Sequence, residues 1–246
     1  MMYMGSKRRI AKHILPIMLE AARLEGVTTW VEPFVGGANM IDKVPPTFKR
    51  IGADLNHYLI EFWKAAQSGW VPPEHITVDE YHRTKENKNR DPKMTLWVGI
   101  CCSYGGKWFG GWVNDYKENK RLKNGVLPNR QTESRNGVIK QLPKIKDVNF
   151  FHSSYEELQI PLKSLIYCDP PYEGTTRYKD DFNHAAFWQW CRDRSKEGHI
   201  VFVSEYSAPE DFYCVKEIET NTQLGNGSGS ASIIKREKLF RFNDLY

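Results

Sequence analysis

The sequence predicts an α/β fold: a Rossmann-like, largely parallel sheet whose ligand site lies at the carboxyl ends of its strands. Three observations carry that prediction. Short β-prone runs alternate with segments of helical period, and each run ends in a glycine-bearing or acidic turn. A long central stretch of different composition interrupts the alternation. With 246 residues, 40% of them hydrophobic and 26% charged, the chain can bury one sizeable core plus an inserted domain, and disorder is not the default reading of its composition.

Taken in order, Arg8 to Ala22 sets Ile10, Ile14, Leu15, Met18, Leu19 and Ala22 at helical spacing, with Gly26 as a stop. Thr28 to Val31 is a short strand running into Glu32-Pro33-Phe34-Val35-Gly36-Gly37-Ala38-Asn39, a glycine turn expected to open a helix. A second strand, Arg50 to Ala53, ends in Asp54-Leu55-Asn56 and precedes an amphipathic helix from His57 to Ala66. From Val71 to about Lys146 the chain carries Pro72-Pro73, many lysines, clustered aromatics and glycines, and Pro128 and Pro143 as breakers. The expected organisation is therefore a body of residues 1–66 and 147–246 with 67–146 inserted.

Beyond the insert, Val148 to Phe151 and Ser164 to Cys168 read as strands, the latter closing on Asp169-Pro170-Pro171-Tyr172. A helix follows from about His184 to Ser195, and then a strand, His199 to Val203, ends in Ser204-Glu205. Tyr213 to Thr220 and Ser232 to Phe242 form a terminal antiparallel hairpin around Gly225 to Ser230.

Charge is segregated. The whole chain is formally +5, yet His82 to Lys146 holds 15 Lys and Arg against 5 Asp and Glu, leaving 20 against 25 elsewhere. A basic insert on a mildly acidic body suits a polyanion partner, because phosphate contacts supply most sequence-independent affinity for nucleic acid. No apolar run reaches the roughly 18 residues of a membrane span, and the basic N-terminus lacks the apolar core of a signal peptide, so a cytoplasmic location and no membrane partner are expected. The cysteines, Cys101, Cys102, Cys168, Cys191 and Cys214, include no C-x-x-C pair and are expected as small buried hydrophobes. None of the histidines falls in a metal-binding signature, so no metal is expected.

Asp169-Pro170-Pro171-Tyr172 is the strongest signal; background composition yields such a string in about one chain of this length in a thousand. Two successive prolines fix φ and remove two N–H donors, so the turn presents rigid carbonyls beside a carboxylate. Paired acceptors of this kind suit an exocyclic amine: the Asp169 carboxylate and the Pro170 carbonyl can take its two N–H hydrogens, favouring a pyramidal nitrogen with its lone pair aimed at a donor. Tyr172 adds an aromatic face for a base. Glycines 36 and 37 allow close backbone approach to a ligand, and Asp54, at the end of the next strand about 20 residues on, stands where a nucleotide ribose is held. No full G-x-G-x-x-G enters a helix, which argues against a dinucleotide.

Four motifs in order, Tyr3-Met4-Gly5-Ser6-Lys7, Glu32 to Gly37, Ala53-Asp54-Leu55-Asn56 and Asp169 to Tyr172, with the insert ahead of the last, resemble the Dam-like (D12 class) DNA adenine-N6 methyltransferases over nearly the whole chain. The resemblance implies an S-adenosylmethionine-dependent methyltransferase sheet, a mostly helical inserted target-recognition domain and a flipped adenine in double-stranded DNA as the acceptor, with S-adenosylhomocysteine as product. Asp169, Pro170, Pro171 and Tyr172 are then catalytic. Asp54 holds the ribose hydroxyls, Phe34 and Leu55 flank the adenosine, and Tyr3 and Lys7 meet the donor's amino-acid end. Glu32, Pro33, Gly36, Gly37, Asn56, Ser154, Tyr155 and Asp169 complete the cofactor set. The family's more usual G-x-G appears as Gly36-Gly37-Ala38.

Within the insert, Ser103 to Trp112 looks like the family's DNA-contacting loop, its four glycines suggesting a segment free to follow a groove. Lys107, Trp108, Phe109, Arg121, Lys123, Arg130 and Arg135 are the DNA-binding candidates there, with Tyr178 in the loop after the catalytic turn, and Lys117 and Lys120 tracking the backbone. Ser204-Glu205-Tyr206 is a candidate wall of the base pocket. A bacterial or phage setting, including restriction-modification, and a monomer or weak dimer fit this family. Methylation of RNA adenine or of cytosine N4 in DNA, and a non-catalytic DNA-binding relative, remain open alternatives.

Overall fold

The computed structural model describes residues 1, 3, 5–113, 130–172, 182–223 and 232–243. The helical period of the N-terminal segment becomes α1 (Ala11–Glu25), ended by Gly26 at φ 67°, whose N–H returns to the Ala22 and Arg23 carbonyls. The strands are β1 (Thr29–Glu32), β2 (Lys49–Asp54), β3 (Asn149–His152), β4 (Ser164–Cys168), β5 (Ile200–Glu205), β6 (Phe212–Gln223) and β7 (Ser232–Phe242). Helix α2 (His57–Gln67) follows β2; α3 (Val78–Glu86), α4 (Pro92–Leu96) and α5 (Arg130–Ile145) precede β3; α6 (His184–Lys196) precedes β5.

The seven strands lie in the order β3-β2-β1-β4-β5-β7-β6. β4 runs parallel to both β1 and β5, and β7 is antiparallel to both β5 and β6. This is the mixed, Rossmann-like sheet with a terminal hairpin that the alternation of elements predicts. The chain goes from β1 to β2 and β3 on one side, then returns to lay β4 on the other, so order reverses at the β1–β4 pair. Every residue of β4 and of β5 is buried, as the continuous apolar runs require of strands covered on both faces.

The contacts divide the chain into two compact units. The first comprises Met1–Arg8, Val35–Lys43 and Gly52–Ser154; the second comprises Arg9–Phe34, Val44–Ile51 and Tyr155–Tyr246. In the first, helix starts are set by local polar residues. Asn56 accepts the Tyr58 N–H at the head of α2, Thr77 and Glu80 cap α3 reciprocally, and Asp91 caps α4 with Pro92 in its first turn. Trp63, Phe62, Leu96 and Trp97 fill its interior. The second unit is packed around Trp30, Tyr167, Phe187 and Phe202.

Three expectations change. No regular α-helix follows the glycine turn; only a short 3-10 turn, Ile41–Lys43, forms there. Left-handed backbone at Gly36 and Ala38 breaks the helical path, and Pro45-Pro46 biases Val44 away from helix. Pro143 sits inside α5 rather than ending it, close enough to the C-terminus that its lost bond falls in the last turn. Four of the five cysteines are buried, but Cys214 is exposed on β6, beside an irregularity in its pairing with β7. Among the described residues, no helix is long and apolar enough to cross a membrane.

At the base of the sheet, buried His199 receives the Ser164 N–H on Nδ1 at 3.1 Å, tying the start of β4 to the start of β5. Burial pushes its pKa below 6.5. A folded-state pKa below the unfolded one contributes stability that is present above the unfolded value and lost as pH falls through the folded one. His199→Gln, which keeps an acceptor but does not titrate, is expected to flatten the loss of Tm between about pH 8 and pH 5 by roughly 2–4 °C. Thermal melts across that range check this, and an unchanged slope refutes it.

Candidate active site

In the first unit, β2 delivers Asp54 to the glycine turn. Asp54 Oδ2 accepts the Gly36 N–H and Oδ1 accepts the Asn56 N–H, each at 3.0 Å. Burial raises the pKa of this carboxyl, against the pull of those two N–H groups and of His152. Each oxygen of an ionised carboxylate keeps a further lone pair, so Asp54 still has capacity for hydroxyl donors.

The turn itself is packed on Tyr3. A Cβ at Gly36 (φ 46°) would stand 3.1 Å from the Tyr3 ring, and one at Gly37 would stand 2.7 Å from Tyr3 Cβ and 2.6 Å from Asn39 Nδ2. Glycine at position 37 is thus demanded by the protein's own packing. Ala38, fully buried at φ 51°, adopts left-handed backbone that costs an alanine about 1–2 kcal/mol. Side chains hold the turn in place from outside: Trp63 Nε1 donates to the Gly36 carbonyl at 3.1 Å, and Gln141 Nε2 donates to the Gly37 and Ala38 carbonyls at 3.0 and 2.7 Å. Neither tether was visible in the sequence. Trp63 reads there as one more apolar position of α2, and Gln141 carries no local signal.

Lys7 is buried, its Nζ donating to the Gly5 carbonyl at 3.0 Å. Leu55 is 72% exposed, and its carbonyl pairs with His152 Nε2 at 3.1 Å. Asn56 spends its side-chain oxygen on capping α2. Ser154 is half-buried just past β3, where the neighbouring Ser153 N–H reaches the Asp54 carbonyl at 3.3 Å.

The Ser103–Trp112 segment is a pinned loop rather than a free one. Tyr104 N–H bonds the Gly111 carbonyl at 2.8 Å, Phe109 N–H bonds the Gly99 carbonyl at 2.8 Å, and Trp112 Nε1 bonds the Ile76 carbonyl at 2.8 Å. Phe109 is buried against Tyr81, so it is a packing residue of this unit. Lys107 is exposed, and Trp108 is 38% exposed. Trp108 continues a run of rings from β3: His152 to His57 at 5.9 Å, His57 to Tyr58 at 3.8 Å and Tyr58 to Trp108 at 5.4 Å. Arg130 lies over the Tyr104 ring at 5.7 Å, whereas Arg135 Nε is engaged by the Pro72 carbonyl at 2.9 Å. Arg121, Lys123, Tyr178, Lys117 and Lys120 lie outside the described residues.

In the second unit, β4 carries the acidic turn. Parallel pairing sets Val31 against Ile166, and carrying that register forward brings Phe34 level with Asp169. The start of the glycine turn and the Asp-Pro-Pro-Tyr turn therefore leave neighbouring strands side by side, at the point where strand order reverses. Glu32 is buried and accepts Trp30 Nε1 at 2.8 Å. Pro33 is buried, and Phe34 joins an aromatic cluster with Tyr155, Phe182 and Phe187 at centroid distances of 5.6 to 5.9 Å. Burial, then the Glu156 carboxylate, pushes the Tyr155 phenol to about 12.

Asp169 and Pro171 are half-buried and Pro170 is buried. Tyr172 meets Tyr206 edge to face, centroids 4.7 Å apart at 81°. Beneath the turn, Tyr167 and Ser204 share a hydrogen bond of 2.8 Å, joining β4 to β5. Burial, then the charge of Asp169, holds the Tyr172 phenol well above its ordinary value, so it is a neutral donor at physiological pH. Among the described residues, no cluster of His, Cys, Asp and Glu has the makings of a metal site.

Comparison with known proteins follows these positions. The family model for D12 class N6 adenine-specific DNA methyltransferase matches residues 3–95, a span that includes Tyr3, Lys7, the glycine turn and Asp54. The type II methyltransferase M.FokI of Planomicrobium okeanokoites is 26% identical over 217 residues, covering 77% of this chain and 31% of that protein. The chain thus spans less than a third of that relative's length. Among solved structures, the putative methylase HI0767 from Haemophilus influenzae aligns with 96% of this chain and 89% of its own at 9% identity and a TM-score of 0.36. SMU.472, a putative methyltransferase complexed with SAH, aligns with 99% of this chain and 56% of its own at 12% identity and a TM-score of 0.31. Over residues 3–95, which hold Tyr3, Lys7, the glycine turn and Asp54, this chain is thus similar to the D12 class of N6 adenine-specific DNA methyltransferases.

Proposed function

We propose that this protein transfers a methyl group from S-adenosylmethionine to N6 of an adenine flipped out of duplex DNA. The observation that carries the reading is the Asp169-Pro170-Pro171-Tyr172 turn at the end of fully buried β4, beside the start of the glycine turn in parallel register. When bound, the donor supplies an electrophilic methyl on a sulfonium. Asp54 takes the ribose hydroxyls on its remaining lone pairs, and the turn packed on Tyr3 shapes the floor beside them.

The acceptor amine gives its two hydrogens to the Asp169 carboxylate and the Pro170 carbonyl, which turns its lone pair outward. Tyr172 and Tyr206 offer ring surface for the extruded base, whose exit from the stack costs a few kcal/mol. The N–CH3 bond would form as the S–CH3 bond breaks, directly and with no covalent enzyme intermediate; the methylated nitrogen's surplus proton would pass to the Asp169 carboxylate and on to solvent, leaving S-adenosylhomocysteine. Residues 67–146 serve as the target-recognition domain, a role supported by the net +10 of His82 to Lys146 and by exposed Lys107 and Trp108.

The test is transfer of radiolabelled methyl to duplex DNA and to RNA, followed by digestion to nucleosides. Label in N6-methyladenine from the duplex is expected. Label in N4-methylcytosine, or only in RNA, would falsify the acceptor assignment, and calorimetry showing DNA binding without S-adenosylmethionine binding would favour a non-catalytic protein.

A further inference from the structure

The glycine turn is held from two directions, and one of them is the basic segment. Helix α5 lies within His82 to Lys146 and is fixed at both ends by buried glutamines. Near its start, Gln131 Oε1 accepts the Ile76 N–H at 2.7 Å while its Nε2 donates to the Ile76 and Val113 carbonyls at 3.3 and 3.2 Å. Val113 directly follows the Ser103–Trp112 loop. About 15 Å further along the helix, ten residues at 1.5 Å each, Gln141 donates to the Gly37 and Ala38 carbonyls, and its Oε1 accepts from the Met1 nitrogen. Gln141 Nε2 thus holds two carbonyls of the turn whose Gly36 N–H Asp54 also accepts, while its Oε1 takes the Met1 nitrogen.

We infer that Gln141 is a positioning residue that couples the basic segment to the glycine turn, so that duplex DNA engaged by the segment and S-adenosylmethionine held at the turn strengthen each other's binding. The inference rests on the proposed function. Its physical basis is a contiguous chain of bonds: Val113 carbonyl, Gln131, the α5 backbone, Gln141, and the carbonyls of Gly37 and Ala38, the latter in left-handed backbone that relaxes once the tether is cut. Coupling of this kind is reciprocal.

The experiment is calorimetric titration of the full chain with S-adenosylmethionine, alone and with a saturating duplex pool of randomised sequence at low salt. In the wild type the duplex is expected to tighten S-adenosylmethionine binding by about fivefold or more. Gln141→Met, and Gln141→Glu as the more isosteric second variant, should bring that ratio below about twofold by removing the donor to both carbonyls. Trp63→Phe cuts the other tether, which comes from α2, and should weaken S-adenosylmethionine binding while keeping the wild-type ratio. A merely structural Gln141 would lower affinity with and without DNA alike and leave the ratio intact.

A wild-type ratio of one, or a ratio unchanged in the Gln141 variants, overturns the inference and leaves the proposed function standing. A wild type that binds no S-adenosylmethionine removes the proposed function and this inference together. Should both Gln141 variants fail to fold, hydrogen exchange of the wild type decides. Slower exchange of the peptide containing Gly36 to Ala38 when duplex is added supports the coupling, and unchanged exchange overturns it.

Discussion

Asp169→Ala is expected to lower kcat by about 10²–10³-fold or more, the scale of removing one oriented acceptor or donor from a reacting centre, with duplex affinity held within about twofold. The amine of adenine is weakly nucleophilic because its lone pair is delocalised into the ring, so most of the proposed rate enhancement comes from orienting its two hydrogens. In the proposed arrangement, the Pro170 carbonyl takes only one of them. Asp169→Asn should be nearly as damaging, since the carboxamide can turn an N–H toward an N–H. Single-turnover methylation of duplex DNA, with a separate binding titration, measures the two quantities independently. Retention of more than about a tenth of the wild-type rate would exclude Asp169 from the chemistry.

The second large effect is expected at Asp54. Its oxygens hold the Gly36 and Asn56 N–H groups, and a carboxamide can accept only one of those bonds while setting its own NH2 against the other donor. Hydrogen bonds to a charged group contribute about 1.5–3 kcal/mol, so Asp54→Asn should weaken S-adenosylmethionine binding by about 10–100-fold. The pH dependence follows from burial, which raises this carboxyl above its ordinary range. A raised folded-state pKa means that this group's contribution to the stability of the ligand-free fold is present at low pH and lost as pH rises through that pKa. On the proposed role, ligand binding would need the ionised form and so run the other way, its acid limb displaced above that of an ordinary carboxylate. Calorimetry from about pH 4 to pH 7 reads this limb, and wild-type affinity in Asp54→Asn would remove Asp54 from the donor site.

Much of the sheet was legible because its signals are local. β4 coincides with its predicted range, and β1, β2, β5 and α2 fall within a residue or two of theirs, since uninterrupted apolar runs and 3.6-residue periods are written into neighbouring side chains. Of the site, the turns were legible and their fastenings were not. Gln141 reaches the glycine turn across 104 residues of sequence, and no spacing rule announces such a bond. Glycine richness also misled: the Gly111 carbonyl is tied to the Tyr104 N–H, and the missing side chain at Gly99 lets Phe109 and Trp108 seat closely, so the loop is not loose. The absent helix after Asn39 came from left-handed backbone at an alanine, a state the residue type itself disfavours.

Glu32, Asp169 and Glu205 close three adjacent strands, β1, β4 and β5, with two of these acids buried. On the proposed function, these three carboxyl groups would disfavour a phosphodiester, tolerate an uncharged nucleobase and attract a positively charged sulfonium. On the same reading, the strand tips would thus favour the heterocycle of a nucleotide over its phosphodiester, a filter by charge that works before any hydrogen bond to the base is made.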